Sequence, residues 1–219
     1  RRGMTQLITV RVSRAAAEQR RGRAGRLEPG ICYRLWTAPE DRGLKAFDEP
    51  EILQADLAPL ALDLAAWGVP DPAALEWMTP PPPGAFSQGQ DVLRRLEALD
   101  GAGRITSEGK AMAALPLHPR LAHLVHRGQE LGYGTLACSV AALLAERDIL
   151  IGSRDPDLRL RLEVVIGRGQ EGRDRGLRIN HAVLARVKAT ARQIRGLARV
   201  AGAERVASNI ENVGLLVAL

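Results

Sequence analysis

Aromatic residues are scarce in this 219-residue sequence: Tyr33, Trp36, Phe47, Trp67, Trp77, Phe86 and Tyr133 are all there are. A β-sandwich or barrel spends many more on its sheets, so an all-β architecture is excluded. Cysteine is as sparse. Cys32 and Cys138 stand alone, outside any CxxC spacing, which excludes a disulfide framework or a cysteine-built zinc module. The pair suits a reducing compartment, with the cytoplasm as the expectation. No apolar run approaches the ~18 residues of a membrane span, so no membrane partner is expected. No secretory signal is visible, and an opening Arg1-Arg2-Gly3 without methionine reads as the middle of a longer polypeptide. The four histidines have no acidic or thiol companions at ligand spacing, and no metal site is expected. Ser13 lies in no G-x-S-x-G elbow and reads as a helix cap.

Ala, Leu and Arg fill the space instead and favour helices. The net charge of +6 is unevenly spread. Residues 1–34 carry nine arginines against Glu18 and Glu28, residues 35–78 carry two basic and nine acidic residues, and the remainder is basic again. An anionic partner should therefore touch the beginning and the late part of the chain.

Local patterns divide the chain. Alternation over 5–12 and over 31–36 predicts two short strands, with a helix over 14–21 capped by Ser13 and broken up by Gly22, Gly25, Pro29 and Gly30. Residues 38–50 read as an acidic linker. Apolar residues recur at helical spacing from Glu51 to Trp67, with Pro59 kinking or dividing the helix and Gly68 stopping it. Asp71-Pro72 should start a short helix through Met78. After the Pro80–Pro83 break, Ser87 is the expected cap of a helix reaching Leu99. A tight Gly101-Ala102-Gly103 turn, a single strand pairing at Arg104–Thr106 and a Thr106-capped helix over 107–114 complete the outline of a winged-helix module. Further helices are expected over 119–131, 135–147, 156–166, 180–201 and 208–218, with a flexible Gly/Arg loop at Gly167–Gly176.

The strongest chemical signal is Gln19-Arg20-Arg21-Gly22-Arg23-Ala24-Gly25-Arg26. Guanidinium forks suit phosphate oxygens, and the glycines allow a tight backbone turn. Arg23 and Arg26, three apart, would face the same way if one helical turn joined them. The same residues also suit a solvated basic helix end. A second signal is Lys188, Arg192, Arg195 and Arg199, spaced four, three and four apart on one helix face, with no acid between Asn180 and Gly202. That stripe fits a nucleic-acid backbone, or a plain solvated face.

The string Q-R-R-G-R-A-G-R, preceded by V-S-R-A-A-A-E, resembles motif VI of the DEAH-box superfamily 2 helicases. The segments after it are similar to the same family: Leu27–Trp36, Glu49–Leu53, Trp67-Gly68, Leu96–Asp100, Ile105–Lys110 and Leu115–Ala122. The pattern is most similar to the bacterial HrpB type over residues 3–150, and looser beyond. The resemblance implies a mainly α chain in three parts. Residues 1–42 would be the tail of a RecA-like α/β domain, 43–112 a winged-helix module, and 113–219 a helical ratchet-like, helicase-associated domain.

The resemblance also implies that Gln19, Arg23 and Arg26 approach the terminal phosphates of ATP, with Arg26 as the arginine finger. Arg20 would support the loop or pair with a carboxylate, and Arg21 would be exposed. The implied cofactors are ATP and Mg2+, and the implied partners are single-stranded RNA or DNA and the N-terminal RecA-like region of the same chain. No G-x-x-x-x-G-K-[ST] loop and no DEAH sequence occur in the 219 residues, so this segment alone should be inactive in ATP hydrolysis. Two other readings stay open: a non-enzymatic winged-helix nucleic-acid-binding module, and an interaction scaffold using the acidic 35–78 surface.

Overall fold

A computed structural model describes residues 9–167, 178–200 and 210–218. Residues 5–8 of the first expected strand, nearly all of the Gly/Arg loop, and residues 201–209 lie outside them. The chain forms two compact units, one made of the residues up to Asp56 with Trp77–Pro82, the other of Leu57–Glu76 with Pro83 onward.

In the first unit the helix α1, Arg14–Arg23, is capped by Ser13, whose buried hydroxyl accepts from the Ala16 amide at 3.1 Å. The amides of Arg14 and Ala15, which no residue inside the helix can satisfy, donate to the carbonyls of Lys45 and Ala46 at 2.8 and 3.0 Å. Gly22 does not break this helix, which runs through to Arg23. Within the expected acidic linker lies a second helix, α2, Ala38–Arg42. Thr37 and Glu40 cap it reciprocally, and Pro39 stands in its first turn. Over the described residues neither expected strand forms: 9–12 and 31–36 are irregular. A strand exists through its ladder partners, and no described residue pairs with either segment.

The second unit holds the core. Pro59 divides the 51–67 pattern into a 3-10 turn, Glu51–Leu53, at the end of the first unit's opening stretch, and a helix α3, Ala58–Ala66, in whose first turn it sits. Gly68, at φ +80, ends α3. The expected 71–78 helix shrinks to a 3-10 turn, Pro72–Ala74, because Leu75 is already extended. Helix α4 runs Pro83–Arg95, five residues earlier at its start than a Ser87 cap implies. Proline at a helix's first position needs no amide partner and brings a helical φ, so Pro83 starts it. It ends at Arg95 because Glu97 turns left-handed, at φ +57.

A single antiparallel bridge, Leu99 to Ile105, leads into α5, Ser107–Ala113. Thr106 accepts from the Gly109 amide at 3.0 Å and donates to the Glu97 carbonyl at 2.7 Å, so one hydroxyl closes both sides of the turn. Helices α6, Pro119–Glu130, and α7, Gly134–Ala145, form a hairpin at Gly132, φ +80. A Cβ on Gly128 would sit 2.5 Å from the Ala137 methyl, so glycine permits this approach. Two short strands, β1 Leu150–Ile151 and β2 Arg178–Ile179, pair antiparallel around α8, Leu158–Val165. Asn180 then caps α9, His181–Leu197. A 3-10 turn at Ile210–Asn212 leads into α10, Val213–Val217, which inserts Leu216 into the core. The chain is mainly α.

Among the described residues of this unit, Arg161 is a buried charge. It forks onto Asp148 at 3.1 and 2.6 Å and donates to the Asp157 carbonyl at 3.0 Å. Its side chain is 9% exposed and that of Asp148 42%, so losing the two partners should not cost the same. Asp148→Ala strands a buried guanidinium, and we expect a loss of about 2–3 kcal/mol. Arg161→Met leaves a carboxylate that water can reach and should cost about 1 kcal/mol or less, both read by urea unfolding. A Cβ on Gly109 would lie 2.2 Å from the Ala98 carbonyl oxygen, whereas one on Gly196 meets nothing within 4 Å. Gly109→Ala should therefore lower the melting temperature, by about 1–3 kcal/mol of stability, while Gly196→Ala raises it slightly.

Candidate functional site

The first candidate surface is α1 and the turn after it. Gln19, Arg20 and Arg23 are exposed on the helix, and Arg26 is exposed in the turn. Ala24 caps the helix, its amide donating to the Arg21 carbonyl at 3.0 Å, so one helical turn does not relate Arg23 to Arg26 as their spacing suggests. Instead the chain from Ala24 folds back on itself. The backbone of Gly30 lies so close to Ala24 that a Cβ would fall 1.7 Å from its carbonyl oxygen. Arg26 is thus carried on a closed loop that only glycine permits at position 30.

Among the described residues Gln19, Arg20, Arg23 and Arg26 form no ion pair. The carboxylate partner expected for Arg20 goes to Arg21, which stays exposed and meets Glu18 at 2.8 Å, three residues back on the same helix. Glu18 also pairs with Arg34. The Arg34 guanidinium reaches Asp41 at 2.9 Å and stands 6.0 Å from the Trp36 ring centre, and the Trp36 indole N–H donates to Asp41 at 2.9 Å. That indole bond is the largest influence holding the Asp41 carboxyl below its ordinary range. Partial desolvation opposes it and Arg34 adds to the lowering. The hydrogen bond to Glu18 leads in raising Arg34. Sequence reasoning missed this network because its members lie 16 and 7 residues apart. The capping pattern Thr37–Glu40, which announces a helix bringing Asp41 back, was the available signal.

The second surface lies between α7 and α9. A groove of about 250 Å³ is rimmed by Lys188, Arg192 and Arg195 and floored by Thr135, Cys138 and Ser139. Val183, Val187 and Ile194 face the core, which turns the three cations outward. The fourth member of the stripe, Arg199, lies beyond the helix, which stops at Leu197; it adopts a left-handed φ of +52 and does not line the groove. None of the four is ion-paired among the described residues, whereas Arg186, on another face, meets Glu146 of the chain after α7 at 3.3 Å. Among the described residues no three His, Cys, Asp or Glu side chains could hold a metal ion. His118 caps α6 through the Arg120 amide. No helix among them is long and apolar enough to cross a membrane.

The model of the helicase-associated domain (HA2), winged-helix, matches residues 91–117, the stretch from the end of α4 through the bridge and α5. Over 146 residues the chain is 42% identical to the ATP-dependent RNA helicase HrpB of Escherichia coli K12, covering 67% of this chain and 18% of that protein. Over 150 residues it is 36% identical to the probable ATP-dependent RNA helicase DHX35 homolog of Caenorhabditis elegans, covering 68% and 20%. The crystal structure of the E. coli DEAH/RHA helicase HrpB superposes with a TM-score of 0.72 at 31% identity, over 96% of this chain and 24% of that one. The chain belongs to the HrpB-like DEAH-box helicases. It corresponds to a C-terminal segment of them and spans about a fifth of the length of the curated relatives it matches.

In this HrpB-like segment the Asp41 carboxylate should hold its proton affinity low. With the folded value depressed, the stability it contributes is complete above the unfolded value of about 3.9 and is lost as pH falls through the folded one. The Trp36 indole proton resonance should therefore shift with a midpoint below about 3.9. A midpoint at or above it would contradict the network.

Proposed function

We propose that the chain is the coupling and strand-holding part of an ATP-dependent RNA helicase that works in the cytoplasm of a bacterium. Residues 1–42 form the end of the second RecA-like domain, 43–112 the winged-helix module, and 113–219 the helical ratchet-like domain. The observation that carries the reading is α1. It presents Gln19 and Arg23 to solvent, with Arg26 in the turn that follows, none of them ion-paired among the described residues, while its N-terminus and Glu18 are tied down. Guanidiniums held this way fit the terminal phosphates of ATP.

ATP with Mg2+, when bound, supplies the phosphoryl group that is transferred. Gln19 and Arg23 bind and orient the terminal phosphates. Arg26 donates charged N–H groups to the developing negative charge. The N-terminal RecA-like region of the same protein supplies the remaining parts of the site. The groove edge at Lys188, Arg192 and Arg195, with Arg199 further along, follows the phosphates of single-stranded RNA or DNA, each neutralised phosphate releasing counterions.

In the full-length protein, Arg26→Ala should lower ATP turnover by about 10³-fold or more while RNA affinity survives, as phosphate-release and anisotropy assays would show. Unchanged turnover would remove the finger assignment. Replacing Lys188, Arg192 and Arg195 by Gln should weaken binding of a single-stranded RNA ten-mer and flatten its salt dependence by about two to three in slope. Tighter binding to duplex DNA than to RNA by this segment would instead favour a non-enzymatic winged-helix module.

A further inference from the structure

Arg34 is exposed enough to be solvated, yet it is committed on three sides. It joins Glu18 of α1 to Asp41 of α2 and stands against the Trp36 ring, whose indole holds the same Asp41 oxygen at 2.9 Å. Its side chain is 27% exposed and that of Asp41 29%, whereas the neighbouring Arg21 is 65% exposed. Single solvent-facing ion pairs contribute little to stability, but this is a linked set with an aromatic wall. The segment just past α2 grips the other end of α1. The Lys45 and Ala46 carbonyls accept its first two amides, and the Leu44 carbonyl accepts from the Arg14 side chain at 3.4 Å. α1 is therefore held at its N-terminus by one end of the 34–46 segment and at its middle by the other. Glu18 immediately precedes Gln19, and Gln19 and Arg23, four apart, share one helix face. A rotation of α1 about its axis would swing that face; at mid-helix, beside the packing of buried Ala17, the Glu18–Arg34 ion pair opposes it.

We infer that Arg34 is a positioning residue for ATP hydrolysis, locking the rotation of α1 so that Gln19, Arg23 and the loop bearing Arg26 face the phosphates together. This rests on the proposed reading of α1 as the nucleotide-facing motif. The role of Arg34 is geometric. It touches no substrate, and misplacement of about 1 Å at a reacting centre can cost on the order of 10²-fold in rate.

The test uses the full-length protein and separates kcat from KM for ATP at saturating RNA. Arg34→Gln should lower kcat about tenfold or more, with KM and RNA affinity within about twofold of wild type. Arg34→Lys, which retains charge but cannot fork between two carboxylates, should fall between and covers the case where the Gln variant does not fold. Glu18→Gln should lower kcat in the same direction and add nothing to Arg34→Gln, because both break one contact. A kcat within twofold of wild type for both Arg34 variants, or additive losses in the double variant, would overturn the inference. Arg26→Ala runs beside them. A steep loss there with Arg34 variants unchanged removes only the positioning role, whereas no loss at Arg26 removes the reading on which it rests.

Discussion

Helix α7 is buried over most of its length, reaching solvent at Leu144 and Ala145 and along the floor of the groove. Nine of its residues, from Gly134 to Leu143, are buried, and Ser139 satisfies its hydroxyl by donating to the Thr135 carbonyl one turn back. A helix of this kind is stable only when enclosed, and its cover decides the second unit. α6 packs along one flank and α9 along another, and α8 and α10 close the remaining gaps. α9 can present its cations outward only because Val183, Val187 and Ile194 are spent on this enclosure. The basic groove is thus a by-product of the core. Its floor is α7 itself, and its rim is the face of α9 that the core does not use.

The first unit works by a different economy. It has few buried side chains, Ala17 and Leu44 among them, and relies on polar closure. Backbone amides are met by carbonyls from 45–46, two helices are capped by hydroxyls, and one arginine is shared by two carboxylates. Several apolar side chains stay uncovered, Leu27, Ile31, Tyr33 and Leu35 among them. Three of these alternate along the 31–35 segment, the pattern that made it look like a strand in the sequence.

Local chemistry was legible and distant pairing was not. The hydroxyl caps at Ser13 and Thr106, the proline at 119 and the stop at Gly68 act within four residues, so their effect could be read from neighbours. The arginine run at 20–26 and the α9 stripe at Lys188, Arg192 and Arg195 were equally visible, since composition and spacing carry them. The β1–β2 pairing was hidden, because two residues on each side give no periodicity and their partners stand 29 and 27 positions apart. The Glu18–Arg34–Asp41 set was hidden for the same reason. The helical spacing does not carry through to Arg199, because the helix stops at Leu197 and Arg199 itself turns left-handed.

The contact at Gly128 has a mechanical meaning. With Ala137 at a distance that a single added methyl group would forbid, and Leu216 against the same spot, the two helices of the hairpin interlock at one register. Sliding by a turn would drive bulkier side chains through that point. The pair therefore resists shear and transmits a push along its length as a strut does, so a load applied at one end of the hairpin is carried to the other as displacement rather than deformation.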